Sequence, residues 1–314
     1  MTFIKNIRIQ KDKSPQKNTS RLRKMRGYAE DYLFMMPYLL IFFVFTVLPV
    51  IIAVILSFTY FNVLETPSFV GFDNYVHLLV EDSLFMLAFK NTLILSVITG
   101  PIGFILSLFL AWVLNEFGPK LRAFLTLLFY APTISGGAYM IWQIIYSGDS
   151  YGYLNGILLN FNIVYTPIQW TTDEQYMMVA AIIVIIWMSF GAGFLSFVAG
   201  FRNIDKSLYE AAAVDGLKNR WQELWYITLP AIKPQMMFGA VMSITSSFGM
   251  GDIISGIFGF PSTNYGLHTL VHHMQDYGNI RYEMGYACAI AVMLFIIMVG
   301  ANSLIQRLLR GIGD

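Results

Sequence analysis

Apolar runs of roughly 20 residues or more alternate along this chain with shorter polar stretches, and six stand out at 33–58, 88–114, 122–146, 177–199, 232–257 and 284–309. A helix needs about 20 apolar residues to cross about 30 Å of hydrocarbon, so each run predicts one spanning helix. The pattern reads as an all-α integral membrane protein with six transmembrane helices and both termini on one side. Proline and glycine interrupt the runs at Pro37, Pro49, Pro101, Pro132, Gly136-Gly137 and Gly191-Ala192-Gly193. Such breaks are tolerated where neighbouring helices or a wet cavity satisfy the freed backbone groups, which points to a cavity within the bundle.

Composition agrees: 56% of the 314 residues are hydrophobic and 12% charged, against about a quarter charged in soluble domains. Charge then orients the chain. Of 20 Lys and Arg, nine lie between Lys5 and Arg26, two at Lys120 and Arg122, five between Arg202 and Lys233, and two at Arg307 and Arg310. Only Lys90 and Arg281 fall on the opposite side, beside Glu65, Asp73, Glu81, Asp82, Asp149, Asp173, Glu174 and Asp276. The positive-inside rule therefore places the tails, the 115–121 loop and the segment 201–230 in the cytoplasm. The expected division is a basic cytoplasmic tail, 1–31, and a six-span domain, 32–314. Beside a first span, such a tail sets topology and meets anionic membrane lipid rather than nucleic acid. The first run exceeds a signal-peptide core and no small-residue cleavage pattern follows it, so it reads as a retained span.

Little catalytic chemistry stands out. Cys288 lies within a span and offers neither a disulfide nor a metal cluster. His268 and His272, with His273 beside them, have the i, i+4 spacing of metal ligands on one helical face. No acidic or Cys ligand adjoins them, and the expectation is a surface or partner-facing helix with no metal. No G-x-x-x-x-G-K-[ST] motif exists to cradle ATP phosphates, and no catalytic triad is suggested. The chain reads as a non-enzyme whose energy source is another subunit.

The segment Tyr209-Glu210-Ala211-Ala212-Ala213-Val214-Asp215-Gly216 is a polar island that the bilayer does not explain. Ser207-x-x-Glu210 fits a capping box, and Gly216 supplies a left-handed stop. The predicted helix, from Leu208 to Asp215, is about eight residues or roughly 12 Å long, too short to be stable alone in water. Its three alanines allow another backbone to approach closely. A second helix is predicted from about Asn219 to just before Pro230, with Trp221, Leu224 and Trp225 forming an apolar stripe. Periodicity leaves two destinations open for the pair, the headgroup layer or a partner protein.

Glu210-Ala-Ala-x-x-x-Gly216 followed by Ile227-x-Leu229-Pro230 resembles the cytoplasmic signature of permeases in binding-protein-dependent ABC importers. Pro67-Ser-Phe-Val-Gly-Phe-Asp-Asn-Tyr75, Asn91-Thr-Leu93, Pro132 with Trp142, Gly152-Tyr-Leu-Asn155 and Gly285-Tyr-Ala-Cys-Ala-Ile290 resemble the sugar-importing branch related to maltose permeases. The stretch from Trp221 to Gln235, Gly259-Phe-Pro-Ser262 and the stretch from Asp276 to Gly285 resemble subunits for polysaccharide or complex-oligosaccharide uptake. The resemblance implies a type I ABC importer permease fold in the bacterial cytoplasmic membrane, with Ser207, Tyr209, Glu210, Ala211, Ala212, Ala213, Asp215 and Gly216 docking into a cleft of an ATPase. It implies as partners a second homologous permease forming a heterodimer, two ATPase subunits holding ATP and Mg, and an extracytoplasmic solute-binding protein. No cofactor is expected on this chain itself. One departure is visible: ten residues, Leu217 to Tyr226, separate Gly216 from Ile227 where the family has nine. An added residue rotates a following helix by about 100°.

A sugar path needs hydroxyl and amide groups, and aromatic faces, at membrane depth. Ser246 lies about 18 Å along a helix starting near Pro234, close to the midplane where transporter sites lie. Its surroundings, Thr245, Ser246, Ser247, Met250 and Asp252, are polar and glycine-rich for a span. Ser189, Phe190, Gly191 and Ala192 reach a similar depth, and both stretches are path candidates that loosely resemble sugar-contacting segments of the maltose-type permeases. The competing reading makes these small residues helix-packing groups. A rival function, an ion-coupled secondary transporter, predicts ionisable residues deep within spans, and the runs are nearly free of them.

Overall fold

The structure, a computed structural model, describes residues 29–311. The basic tail from Lys5 to Arg26 lies outside the described residues. The chain divides into two compact units, up to Ile52 and from Ala53 onward. The first holds most of the first span, Tyr32–Leu56. It continues through Pro37 and takes a π-turn over Phe43–Val47.

Among the described residues, four helices are long and apolar enough to cross a membrane alone: Tyr32–Leu56, Ser83–Asn115, Glu174–Arg202 and Met284–Leu309. Two further spans are bent pairs, Pro119–Ile134 with Ala138–Ile145 at 86°, and Lys233–Phe248 with Gly251–Phe258 at 41°. Counting each pair once gives the six expected spans. The bend of the third span occurs at the Gly136-Gly137 interruption visible in its sequence. It falls where Gly136 takes φ +65°, a conformation an L-residue adopts only with strain. Pro101, by contrast, breaks nothing and lies inside the continuous helix Ser83–Asn115. Among the described residues the helices are accompanied by one small antiparallel pair, Thr59–Tyr60 with Ser68–Phe69.

The second, fourth and fifth spans cross closely because small residues lie at the contacts. A Cβ on Gly193 would stand 3.2 Å from the Gly239 Cα, and one on Gly103 would stand 2.8 Å from the Ser189 Cβ. In lipid, where apolar association has no solvent to drive it, such close packing supplies the association energy. Hydroxyls buried in the second span bond back to their own helix, Thr92 to Ala88 O, Ser96 to Thr92 O and Thr99 to Leu95 O, so these three are satisfied within the span. The ends of these spans nearest the segment 201–230 pack around Phe194, Phe197, Phe201, Leu229 and Met236. A Cβ on Gly239 collides with the Phe197 ring. Gly239→Val is therefore expected to cost about 1–3 kcal/mol by overpacking, seen as a lower melting temperature and reduced yield in detergent.

The histidines reverse their expectation. His268, His272 and His273 are each at most 2% exposed, packed with the helix Leu270–Gln275 against the second and sixth spans. His272 and His273 lie on that helix and His268 just before its cap, Thr269, and the neighbouring spans enclose all three.

Candidate coupling island and solute path

The island helix runs Lys206–Val214, and its cap is Asp205, whose carboxylate accepts from Ser207 N–H at 3.0 Å. This corrects the Ser207/Glu210 capping box. An extended Asp two residues earlier supplies a charged acceptor, which leaves Ser207 inside the first turn as a donor. The Ser207 N–H first, and then its hydroxyl, hold the Asp205 carboxyl below the usual carboxylate range. The C-terminal end matches expectation. Leu217 N–H bonds to Ala212 O at 3.0 Å and Gly216 N–H to Ala213 O at 3.3 Å, with Gly216 at φ +94°, a Schellman motif that closes the helix.

Two faces separate along this helix. Tyr209 and Ala212 turn inward, Tyr209 through a 3.0 Å hydrogen bond between its hydroxyl and Thr228 Oγ1, and Ala212 by burial. Ser207, Glu210, Ala211 and Val214 are exposed at i, i+3, i+4 and i+7, a single outward stripe. Ala213, Asp215 and Gly216 are exposed beside it.

The following segment starts as expected, with Asn219 Oδ1 accepting from Trp221 N–H at 3.0 Å. It does not end before Pro230. Arg220–Glu223 passes into a π-turn, Leu224–Thr228, and then into Leu229–Ala231. Pro230 falls in the first turn of that last piece, where its missing N–H is not required. A π-turn spans one residue more than an α-turn, so it takes up the added residue without the full rotation an insertion imposes on an α-helix. The predicted stripe divides accordingly. Leu224 packs on the inner core, Trp221 leans on Trp112 of the second span at 5.2 Å, and Trp225 is exposed.

Charge fastens the island to the bundle. Arg220 bridges Glu116 at 3.0 Å and Glu223 at 2.9 Å. Arg122 gives Nε to Leu114 O and Nη2 to Asn115 O and Phe117 O, satisfying carbonyls at the negative end of the second span. Together with Lys206 and Tyr209 these groups line a cavity of about 580 Å³ beneath the island. Sequence reading missed the Arg122 cap, whose only signal is a basic residue just past a helix end. Because the Arg220 pairs are exposed, their worth is about 1 kcal/mol or less. Arg220→Glu is expected to raise amide exchange over 206–231 severalfold, and adding Glu116→Lys should return it toward the original rate.

The fourth span breaks between Trp187 and Ala192. Carbonyls at that break are met from the third span, where Thr133 Oγ1 lies 3.2 Å from Met188 O and 3.1 Å from Phe190 O. Thr133 was also missed, although it follows the span-breaking Pro132. Ser189 bonds its own Ile186 O at 2.7 Å, and Phe190 packs on Phe129 and Phe194. In the fifth span Thr245, Ser246 and Asp252 are exposed around the bend at Gly249. Ser247 and Met250 are turned away: Ser247 is buried against Gly100, and Met250 packs in the core with Leu95, Val184 and Ile254. Consecutive helical residues point about 100° apart, so a polar stretch always divides between faces. Ser189, Gly191, Ala192 and Ser246 meet Ser107 and Ser243 at one cleft of about 30 Å³.

The arrangement matches known transport proteins. Residues 101–314 fit the family described as "Binding-protein-dependent transport system inner membrane component". The arabinooligosaccharides transport system permease protein AraP of Bacillus subtilis (strain 168) is 33% identical over 288 residues, covering 90% of this chain and 89% of AraP. A bacterial ABC transporter involved in import of the acidic polysaccharide alginate has a chain of similar fold, with TM-score 0.71, 26% identity and coverage of 92% of this chain and 99% of that one. The bacterial alginate ABC transporter in complex with alginate pentasaccharide-bound periplasmic protein matches with TM-score 0.67 and 25% identity, over 92% and 98% of the two chains. Six apolar spans and a family match over more than half its length make this chain a multi-pass member of the binding-protein-dependent transport system inner membrane components, the permeases of ABC importers.

Proposed function

We propose that the chain is one of two permease subunits in an ATP-driven importer that carries an oligosaccharide into the cytoplasm. The observation that carries this reading is the meeting of two broken spans at one hydroxyl-lined cleft, through Ser189, Gly191 and Ala192 on one side and Ser246 on the other. Arabinooligosaccharides for AraP and alginate for the solved importer support a carbohydrate oligomer. On this chain Thr245, Ser246 and Ser189 are neutral, and Asp252 is the one ionisable candidate. A neutral oligosaccharide fits that wall better than a polyanion.

Two ATPase subunits would hold ATP and Mg, with the outward stripe of Lys206–Val214 docked in one of them. The basic segments and termini would lie in the cytoplasm, and a solute-binding protein would deliver cargo from outside, as a periplasmic protein accompanies the alginate importer. ATPase closure moves the island only if the island binds the open and closed ATPase states with different affinity. The cleft, at about 30 Å³, matches the liquid volume of one water, while ligand sites measure roughly 300–1,000 Å³. The second permease supplies the opposite wall, and the spans move apart to admit the sugar.

The test is reconstitution of the purified complex in proteoliposomes. ATPase activity should rise several-fold with an oligosaccharide-loaded binding protein, and labelled oligosaccharide should enter. Uptake by this chain alone, driven by an ion gradient, would overturn the proposal.

A further inference from the structure

The buried histidines admit one proton arrangement. Thr269 N–H, 3.3 Å from His272 Nδ1, can only donate, so that nitrogen carries a lone pair. The His272 proton therefore sits on Nε2, facing Gly251 O at 3.1 Å and Ser255 Oγ at 2.9 Å. The Asp82 carboxylate accepts the Tyr286 hydroxyl at 2.8 Å and His273 Nε2–H at 2.9 Å. His273 Nδ1 is then an acceptor, and His268 Nε2–H donates to it at 3.2 Å. One atom is left over: His268 Nδ1 is buried and has no hydrogen-bond partner among the described residues. All three rings are neutral and Nε2-protonated, an assignment that follows from the donor and acceptor inventory.

These bonds cross the bundle. Leu270 N–H donates to Thr92 Oγ1 at 2.9 Å, and Asn91 Nδ2 reaches Gly266 O at 3.1 Å and His268 O at 3.0 Å, so the segment is pinned to the second span. Tyr286 brings in the sixth span. His272 holds the outer half of the fifth, Gly251–Phe258, just past its 41° bend.

We propose that His268, His272, His273, Asp82 and Tyr286 form an acid-released latch. It ties the outer half of the fifth span to the second and sixth spans while the imidazoles are neutral. Acid acts on the released state, where each freed imidazole takes up a proton that burial keeps off the latched ring. His272 Nδ1 is occupied in the latched state by Thr269 N–H at 3.3 Å and the Thr269 hydroxyl at 2.9 Å.

Surrounding charges modulate the latch. Asp82 and Asp276 favour charge on His273, Asp252 favours it on His272, and Arg281 opposes it on His268 and His273. Tyr277 meets His273 edge-to-face at 4.9 Å between ring centroids, Arg281 Cζ lies over the Tyr277 ring at 4.3 Å, and His77 packs on Tyr286. Glu283 faces Tyr277, Arg281 and Tyr286. Burial outweighs the carboxylates. It pushes His268 down to about 3 and holds His272 and His273 below the usual histidine range. Burial alone would raise Asp82, but Phe85 N–H, the Tyr286 hydroxyl and His273 together keep it low and ionised.

A histidine released to water titrates near about 6.5. Depressed values in the latched state mean full latch strength above about 6.5, lost as pH falls below that toward the latched-state values. Each histidine released weakens the latch by up to about tenfold per pH unit in that window.

The test is hydrogen–deuterium exchange on the full chain in lipid nanodiscs from about pH 7.5 to about pH 5, corrected for the intrinsic pH dependence of exchange. Protection of Leu270–Gln275 should be flat above about 6.5 and fall by about tenfold or more per unit below it. His268→Phe keeps a ring to stack on Phe260 but removes one titrating group and the donor to His273 Nδ1, so protection at neutral pH should drop and its further fall with acid should become shallower. The wild-type profile decides even where a variant folds poorly. Protection independent of pH, or an equal loss across every outer segment, would overturn the latch, which stands independently of the solute carried.

Discussion

Ala211→Trp is expected to leave membrane insertion and folding intact and to lower co-purification of the ATPase by about tenfold or more, the equivalent of about 1.4 kcal/mol. Ala211 is exposed on the outward stripe, so a larger side chain there extends away from the buried face of Tyr209 and Ala212. An indole there would hold a docked backbone away from the small-residue surface. Its neighbour provides the control. Ala212 is buried toward the bundle, so Ala212→Trp should disrupt the island itself and appear as a loss of stability. Cysteine crosslinking from exposed Ala213 to the ATPase reads the same contact directly. Equal ATPase recovery with alanine and tryptophan at position 211 would count decisively against docking through this face.

Ser246→Trp should abolish oligosaccharide uptake, by about a hundredfold or more, while the assembled complex and its basal ATPase activity persist. Ser246 is exposed at the cleft where the two broken spans meet, and an indole is far larger than a cleft of about 30 Å³. The adjacent Ser247 behaves differently. It is buried and bonded to Ile244 O at 2.8 Å, with its Oγ 3.2 Å from where a Cβ on Gly100 would lie. Ser247→Trp would overpack the crossing of the second and fifth spans and lose protein rather than block a path. Unchanged uptake in Ser246→Trp vesicles removes this stretch from the path.

Much of the island was legible in sequence because its signals are local. Gly216 takes its left-handed conformation from the backbone next to it, and Asn219 caps the turn that follows. The start was misread, because two capping signals overlap within three residues and the charged one, Asp205, prevails. The π-turn that receives the added residue was not legible: it depends on Thr228 bonding both Glu223 O and Tyr209.

The sequence alone determined the membrane class, the number of spans, their breaks at glycine, and the short capped island between them. Each follows from interactions within a turn or two, or from the bilayer's uniform demand for about 20 apolar residues per crossing. Only tertiary structure decided which side of each break faces a path, which alanine faces outward, and that three histidines are buried. Those outcomes depend on partners such as Asp82 and His273, which lie 191 residues apart. A helical sequence specifies the angle between its side chains, and the neighbours packed around it determine which of them see water, lipid or protein.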